Sequence, residues 1–318
     1  MKIAVLGAWH VHAGGYTEKA MELGDVVGFF ERENQVAEEF GNRYNLKRFA
    51  TIEELLDSEA EVVIVCSATS DHTDDIIKIA NAKKHIFTEK VLALTDEDCE
   101  KIEKAIIENN VQFVISLVQK YRAPQLAVKS VVDSGELGKI NYVRFRNCHS
   151  GSFETWLPDR FYNQKQCGGG AMIDLGAHGM YLINWLLGMP VSAKSVFTVA
   201  CSETNPKGKN IDNIEDNAVT VMQFGDGAIA VNETGFVSRC EPTVLEVHGE
   251  NGYVYMEKSE VYKCTTSTNN TRVDVQLPDE LPAPLVQLLT GNVLPGCSIE
   301  EAKALTHMMV MAYEDFKR

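Results

Sequence analysis

"KIAVLGAWHVHAGGY", residues 2–16, decides how the first part of the chain is read. Ile3 to Leu6 is a short, continuously apolar run, the pattern of a strand covered on both faces. Gly7 ends the run, and a helix-like stretch starts a few residues later. A turn that cradles a dinucleotide carries G-x-G-x-x-G at this point. One glycine makes the turn, one lets backbone approach the pyrophosphate, and one lets helix and strand pack closely. Here those slots hold Gly7, Trp9 and His12. By itself the stretch fits a phosphate-binding turn with two substitutions or an ordinary strand-to-helix turn. In either case the free N–H groups of a helix N-terminus are present, and those bind phosphate.

The pattern continues downstream. Val26 to Phe30, Val62 to Val65, His85 to Thr88 and Val111 to Leu117 read as further strands. Between them, "TIEELLDS" (51–58) has a Thr cap with Glu54 three residues on, and "TDEDCEKIEKAIIENN" (95–110) carries acids in its first turn. This βαβαβ alternation predicts an α/β fold with a doubly wound parallel sheet over residues 1–120. Glu31 closes the second strand, near the ~20-residue spacing of an acid that accepts the ribose 2′-OH. That favours NAD over NADP, although a solvated loop acid reads the same way. Arg32 either stacks on adenine or tolerates a 2′-phosphate.

After residue 120 the pattern changes. A helix near Pro124 to Ser134 ends at "SGELG", and a strand follows through "KINYVRFRNCHS". "CGGG" precedes a helix over 171–187. Strand-like segments come next: "AVTVMQF", "GAIAVNETGF", "TVLEVHG", "GYVYMEK" and "VYKCTT". "FGDGA" (224–228) carries the Asp-Gly signal of a tight hairpin. The expectation for residues 121–318 is an α+β domain with an open, largely antiparallel sheet. A helix over about residues 298–316 closes it, capped by Ser298 with Glu301.

The chain's 318 residues suffice for two domains, and its net charge of −15 argues against nucleic acid or an anionic membrane as partner. The opening apolar run is short for a signal peptide, and no stretch approaches the ~20 apolar residues of a membrane span. The eight cysteines are scattered singly with no C-x-x-C. A reduced, cytoplasmic protein is expected.

Three stretches point to chemistry. The third strand runs into "CSATSDHT", at the strand end that faces a cofactor crevice, where Ser70 or Asp71 can cap the next helix. "FTEKVLA" puts Glu89 and Lys90 at the carboxyl end of the next strand. A lysine there can hold a substrate oxygen and favour its alkoxide, or it is an exposed loop residue. In "GGGAMIDLGAHGMYLINWLLG", Asp174 and His178 share one helix face beside an apolar stripe. They read as a hydrogen-bonded pair, as a catalytic pair, or as two metal ligands. No third ligand follows by spacing, and no metal site is expected.

These motifs carry a resemblance. The chain resembles the glucose–fructose oxidoreductase / inositol 2-dehydrogenase family, Gfo/Idh/MocA, over nearly its whole length. "EKVLA" looks like that family's E-K-P motif, with Val91 in the proline slot. "GGGAMIDLGAHGMYLINWLLG" looks like its G-G-G-x-x-x-D-x-G-x-H helix. "CSATSDHT", including His72, and "GELGKINYVRFR" resemble further segments. The resemblance implies an N-terminal Rossmann domain for NAD, with NADP not excluded, and a sheet in the second domain that makes a homodimer or homotetramer. It implies a catalytic set of Lys90, Asp174 and His178. For the cofactor it implies Gly7, Trp9, His10, Val11 and His12 in the first turn, and Glu31 and Arg32 after the second strand. Ser67, Ala68, Thr69 and His72 follow the third strand, and Glu89, Lys90 and Gln119 lie further on.

The expected reaction is hydride transfer between nicotinamide and a secondary alcohol of a sugar, sugar acid or cyclitol. His178 is the general base, and Lys90 stabilises charge on the reacting oxygen. His149, Trp156 and Arg160 are candidates for the substrate side. Two rivals remain: a non-catalytic NAD(H) or ligand sensor on the same scaffold, and a metal-dependent hydrolase or lyase using Asp174 and His178.

Overall fold

Five parallel strands form where the apolar runs predict them: β1 (Lys2–Leu6), β2 (Asp25–Phe30), β3 (Val62–Val65), β4 (His85–Thr88) and β5 (Phe113–Ile115). The structure is a computed structural model that describes residues 1–201, 209–239 and 243–316. Contacts group the chain into two units. Unit 1 holds Met1–Leu117 and Pro282–Thr306, and unit 2 holds Val118–Leu281 and His307–Arg318. The main segment of unit 1 ends at Leu117, and a late segment groups with it. Its helix Pro284–Thr290 packs on the helix Ala13–Leu23. The Ile115 N–H donates to the Cys297 carbonyl at 3.0 Å, so this segment also covers the open edge of β5.

In unit 1 the sheet order is β2-β1-β3-β4-β5. The chain runs outward from β1 to β2, then crosses back to the other side of β1. The order therefore reverses between β1 and β3, and the loops after these strands border the crevice in which such sheets bind ligands. Every residue of β3 and residues Ile3–Leu6 of β1 are fully buried, as expected when helices cover both faces. Thr51 accepts the N–H of Glu54, as its capping signal predicts, and Thr95 likewise accepts the N–H of Asp98.

Among the described residues, unit 2 has eight strands: β6 (Ile140–Cys148), β7 (Ser192–Thr198), β8 (Asn217–Gln223), β9 (Ile229–Gly235), β10 (Val244–Gly249), β11 (Gly252–Glu257), β12 (Glu260–Thr265) and β13 (Val273–Asp274). Their order is β13-β12-β11-β10-β6-β9-β8-β7. Among the described residues of this unit, β6 and β9 are the pair that runs parallel. The Asp-Gly turn closes the β8–β9 hairpin, with Gly227 at φ +94° and the Phe224 N–H donating to the Ala228 carbonyl at 2.9 Å. β7 was not foreseen: its apolar and polar residues do not alternate cleanly. On β8 alternation is complete, with Ala218, Thr220 and Met222 inward and Val219 and Val221 outward.

The predicted helix over 171–187 is two pieces, Ala171–Asp174 and Gly176–Leu187. The glycines around them serve close packing. A Cβ on Gly170 would lie 2.0 Å from the Glu215 carbonyl oxygen, and one on Gly179 would lie 2.0 Å from Oδ1 of Asn232. The buried Glu215 carboxylate accepts the Gly170 N–H at 2.7 Å, and Tyr313 from the C-terminal helix donates to the same oxygen. These contacts press the helix Gly176–Leu187 onto β6 and β9.

Candidate active site

The turn after β1 is tight. Gly7 has φ +86°, and a Cβ there would lie 2.4 Å from the Ser67 nitrogen. Only glycine fits, because the turn lies directly on the loop after β3. The His10 N–H donates to the Cys66 carbonyl at 3.0 Å and ties the two loops together. Ser67, Ala68 and Thr69 thus border the same crevice as Trp9 to His12. The helix Ala13–Leu23 then begins with no acidic residue in its first turn, which leaves its N-terminus suited to an anion.

Glu31 stands at the carboxyl end of β2 and is 6% exposed. Its Oε2 accepts the Ala8 N–H at 2.6 Å and its Oε1 accepts the Glu33 N–H at 2.8 Å. A carboxylate has about four acceptor sites, so capacity remains for ribose hydroxyls. Arg32 is committed elsewhere: its guanidinium donates to both oxygens of the buried Asp75, at 3.2 and 2.5 Å. The Ser67 hydroxyl adds a third donor to Asp75 at 2.8 Å. The glycine turn, the acid after β2 and the acid-free helix start fit a dinucleotide without a 2′-phosphate.

β4 delivers Glu89 and Lys90, both buried. The Lys90 N–H donates to Oε2 of Glu89 at 2.8 Å, and the Lys90–Val91 peptide is cis. The other oxygen, Oε1, faces His12 Nδ1 at 2.7 Å and His10 Nδ1 at 3.8 Å, and it accepts the Tyr16 hydroxyl. Burial alone would push this carboxyl up. His10, His12 and Lys90 outweigh that and hold it well below the usual carboxylate range. Burial and Glu89 push the Tyr16 phenol well up, so it stays a donor. His72 does not present its ring to the crevice. It is 1% exposed, with Nδ1 facing the Val91 and Leu92 carbonyls at 3.1 and 3.2 Å and Nε2 facing the Ser67 carbonyl at 3.2 Å. It therefore braces the loop that carries Lys90.

In unit 2, the helix Gly176–Leu187 buries His178 against the sheet. Its Nδ1 lies 2.8 Å from the Tyr181 hydroxyl, and that oxygen accepts the Gln119 N–H at 3.1 Å. Gln119 was expected at the cofactor. Its backbone N–H meets Tyr181, and its side-chain Oε1 accepts from Gln125 at 2.7 Å. Asp174, at the end of the preceding short helix, acts on His149. Burial pushes the His149 imidazole down and the Asp174 charge partly restores it. His149 stacks on Phe236 with ring centroids 4.8 Å apart and touches Trp156 at 4.6 Å. Two of the three substrate-side candidates thus come together. Arg160 lies in the following turn, where its carbonyl accepts the Cys167 thiol at 3.2 Å.

Sequence reasoning missed the Glu89 cluster and Tyr181. The signal for Tyr181 was available: it lies three residues after His178, on the same helix face. The Glu89 cluster had no such signal, because its members come from separate strands and loops.

This fold and site define a class: a Rossmann-type dinucleotide-binding unit joined to an α+β unit with an open sheet. The chain belongs to the GFO/IDH/MocA family. The family model for the oxidoreductase family, NAD-binding Rossmann fold, matches residues 1–117, and the GFO/IDH/MocA C-terminal domain matches residues 126–255. The inositol 2-dehydrogenase of Salmonella typhimurium is 26% identical over 203 residues, 62% of this chain and 54% of that protein. The scyllo-inositol 2-dehydrogenase (NAD(+)) of Bacillus subtilis is 27% identical over 227 residues, 71% of this chain and 63% of that protein. A levoglucosan dehydrogenase solved with NADH and levoglucosan has the same fold: TM-score 0.81, 18% identity, 99% of this chain and 96% of that one. The matches span 49% to 58% of the length of the first curated relatives. Among the described residues no helix is long and apolar enough to cross a membrane, and seven cysteines are free thiols.

Proposed function

We propose that this chain is an NAD-dependent oxidoreductase acting on a secondary alcohol of a sugar, sugar acid or cyclitol. The observation that carries the reading is Lys90, held buried directly after β4 of an NAD-binding Rossmann unit. The relatives named as inositol dehydrogenases support the substrate class.

Oxidation of the alcohol removes a hydroxyl proton and a carbinol hydride. The chemistry that NAD supplies when bound is acceptance of that hydride. His178 takes the proton. Its base is Nε2, provided that Nδ1–H donates to the Tyr181 oxygen, which can accept it together with the Gln119 N–H. Lys90 donates to the reacting oxygen and stabilises the charge that develops there. Asp174 orients the substrate hydroxyl, and His149, Trp156 and Arg160 line the substrate side. Gly7, Trp9, His10, Val11, His12 and Glu31 bind the cofactor. Arg32 is neutralised by Asp75 and offers a 2′-phosphate little, which supports NAD over NADP.

The same reading places the protein in the cytoplasm as a homodimer or homotetramer joined through the unit 2 sheet. Outward Val196, Val219 and Val221 on β7 and β8 support that contact. A panel of sugars, sugar acids and cyclitols, read by NADH absorbance with NAD and with NADP, tests the activity. Turnover with NAD is expected. NADH binding without turnover on any polyol would replace the reading with a sensor.

A further inference from the structure

We propose that His10, His12 and Glu89 form a binding site for a single divalent transition-metal ion of the zinc, cobalt or iron type. The inference stands on unit 1 alone and does not rest on the redox reading.

The donor set comes first. Two imidazoles and one carboxylate suit first-row transition metals, and such a triad leaves coordination positions open. One ligand atom from each of the three side chains lies within 4.8 Å of the others. An ion bound at about 2.0–2.2 Å needs donor atoms roughly 3–3.5 Å apart. The two separations to Glu89 bracket that range: 2.7 Å from His12 Nδ1 to Glu89 Oε1, and 3.8 Å from His10 Nδ1 to the same oxygen. All three donor atoms lie within 4.8 Å of one another, and rotation of half-exposed His12 closes the remaining spread. His10 Nδ1 also receives the His12 N–H, at a long 3.3 Å, so little is lost when a metal takes its lone pair.

The surroundings are those of a supported ligand. Glu89 is anchored through Oε2 by the Lys90 N–H at 2.8 Å. Tyr16 donates to Oε1 and is itself 2.7 Å from the Ser116 hydroxyl, a chain of outer contacts that fixes the carboxylate. Glu89 and His10 are buried, while half-exposed His12 gives an ion a way in. The site also gives His12 a role that phosphate binding does not. It occupies a slot where a dinucleotide turn would carry glycine, yet its ring turns to Glu89.

The test uses the full chain, stripped with chelator and dialysed, then titrated with Co²⁺ by visible absorption and with Zn²⁺ by calorimetry. One ion per chain is expected, with the absorption of cobalt in a low-symmetry nitrogen and oxygen site. His12→Ala and Glu89→Gln each remove a ligand and should weaken binding by at least about 100-fold. Tyr16→Phe removes an outer contact and should weaken it by roughly 10–100-fold. His248→Ala, in unit 2, should leave it unchanged. Should Glu89→Gln fail to fold, half-exposed His12 still decides. Substoichiometric binding, or equal affinity in wild type and His12→Ala, would overturn the proposal.

Discussion

The Tyr181 hydroxyl lies 2.8 Å from Nδ1 of His178, and its oxygen accepts the Gln119 N–H at 3.1 Å. That backbone contact fixes where the hydroxyl sits, and the hydroxyl fixes the ring. If His178 is the base, this pair selects the tautomer whose proton sits on Nδ1 and whose lone pair sits on Nε2. A general base contributes about 10²–10⁴ in rate, so His178→Ala should lower kcat by that order while NADH affinity stays near wild type. Tyr181→Phe keeps the imidazole but frees its tautomer. Its kcat should fall by less than that of His178→Ala, with KM for NAD unchanged. Steady-state kinetics on both variants decide it; a Tyr181→Phe enzyme with full kcat would remove the tautomer argument.

Lys90→Met keeps the stem of the side chain and removes its charge. Hydrogen bonds to charged groups are worth about 1.5–3 kcal/mol, so kcat/KM for the alcohol should fall by at least tenfold. Lys90→Arg should not restore it, because a planar fork does not replace a compact ammonium in a buried site. Recovery of full activity in Lys90→Arg would argue for a merely electrostatic role.

Cofactor choice rests on Glu31 and on what holds Arg32. Glu31→Ser removes the carboxylate that favours a free 2′-OH, and Asp75→Asn weakens the hold on Arg32. The double variant should shift the NAD/NADP ratio of kcat/KM towards NADP by roughly tenfold or more, the worth of one charge-assisted hydrogen bond. An unchanged ratio would show that neither residue reads the ribose.

Glu136 predicts a pH dependence of stability. The Lys263 ammonium, with the Ser267 and Thr265 hydroxyls, holds its carboxyl down at about 2 from an ordinary 4.5. The folded value is depressed, so its contribution is complete above about 4.5 and is lost as pH falls towards about 2. Thermal melts across that window should show a shallower acid decline for Glu136→Gln than for wild type. Parallel curves would mean that the Glu136–Lys263 pair adds nothing to folding.

The exposed valines make the proposed assembly testable. Val196 and Val219 are register partners on neighbouring strands and both face outward. Val196→Glu with Val219→Glu should convert a dimer or tetramer to monomer in light scattering behind size exclusion, without loss of fold by circular dichroism. A variant of unchanged mass would move the contact elsewhere.

Much of this was legible in the sequence. Continuous apolar runs identified the five parallel strands, because strands covered on both faces need no alternation. Alternation on β8 and the Asp-Gly turn identified a hairpin of the second sheet, because a half-exposed strand sorts its side chains by face and such a turn has few residue choices. The motif holding Asp174 and His178 was equally plain, although the chain splits it into two helices, Ala171–Asp174 and Gly176–Leu187. These are local signals, set by a residue and its near neighbours. Tertiary structure alone decided the rest. It returned Pro282–Thr306 to unit 1, because the open edge of β5 needs a partner and the partner is remote in sequence. It engaged Arg32 with Asp75, turned His72 onto backbone carbonyls, and brought His10, His12 and Tyr16 to one oxygen of Glu89. The physical reason is common to all of these. A buried charge or polar group must be satisfied, and its partner is whichever group the packing brings within about 3 Å, at any distance along the chain.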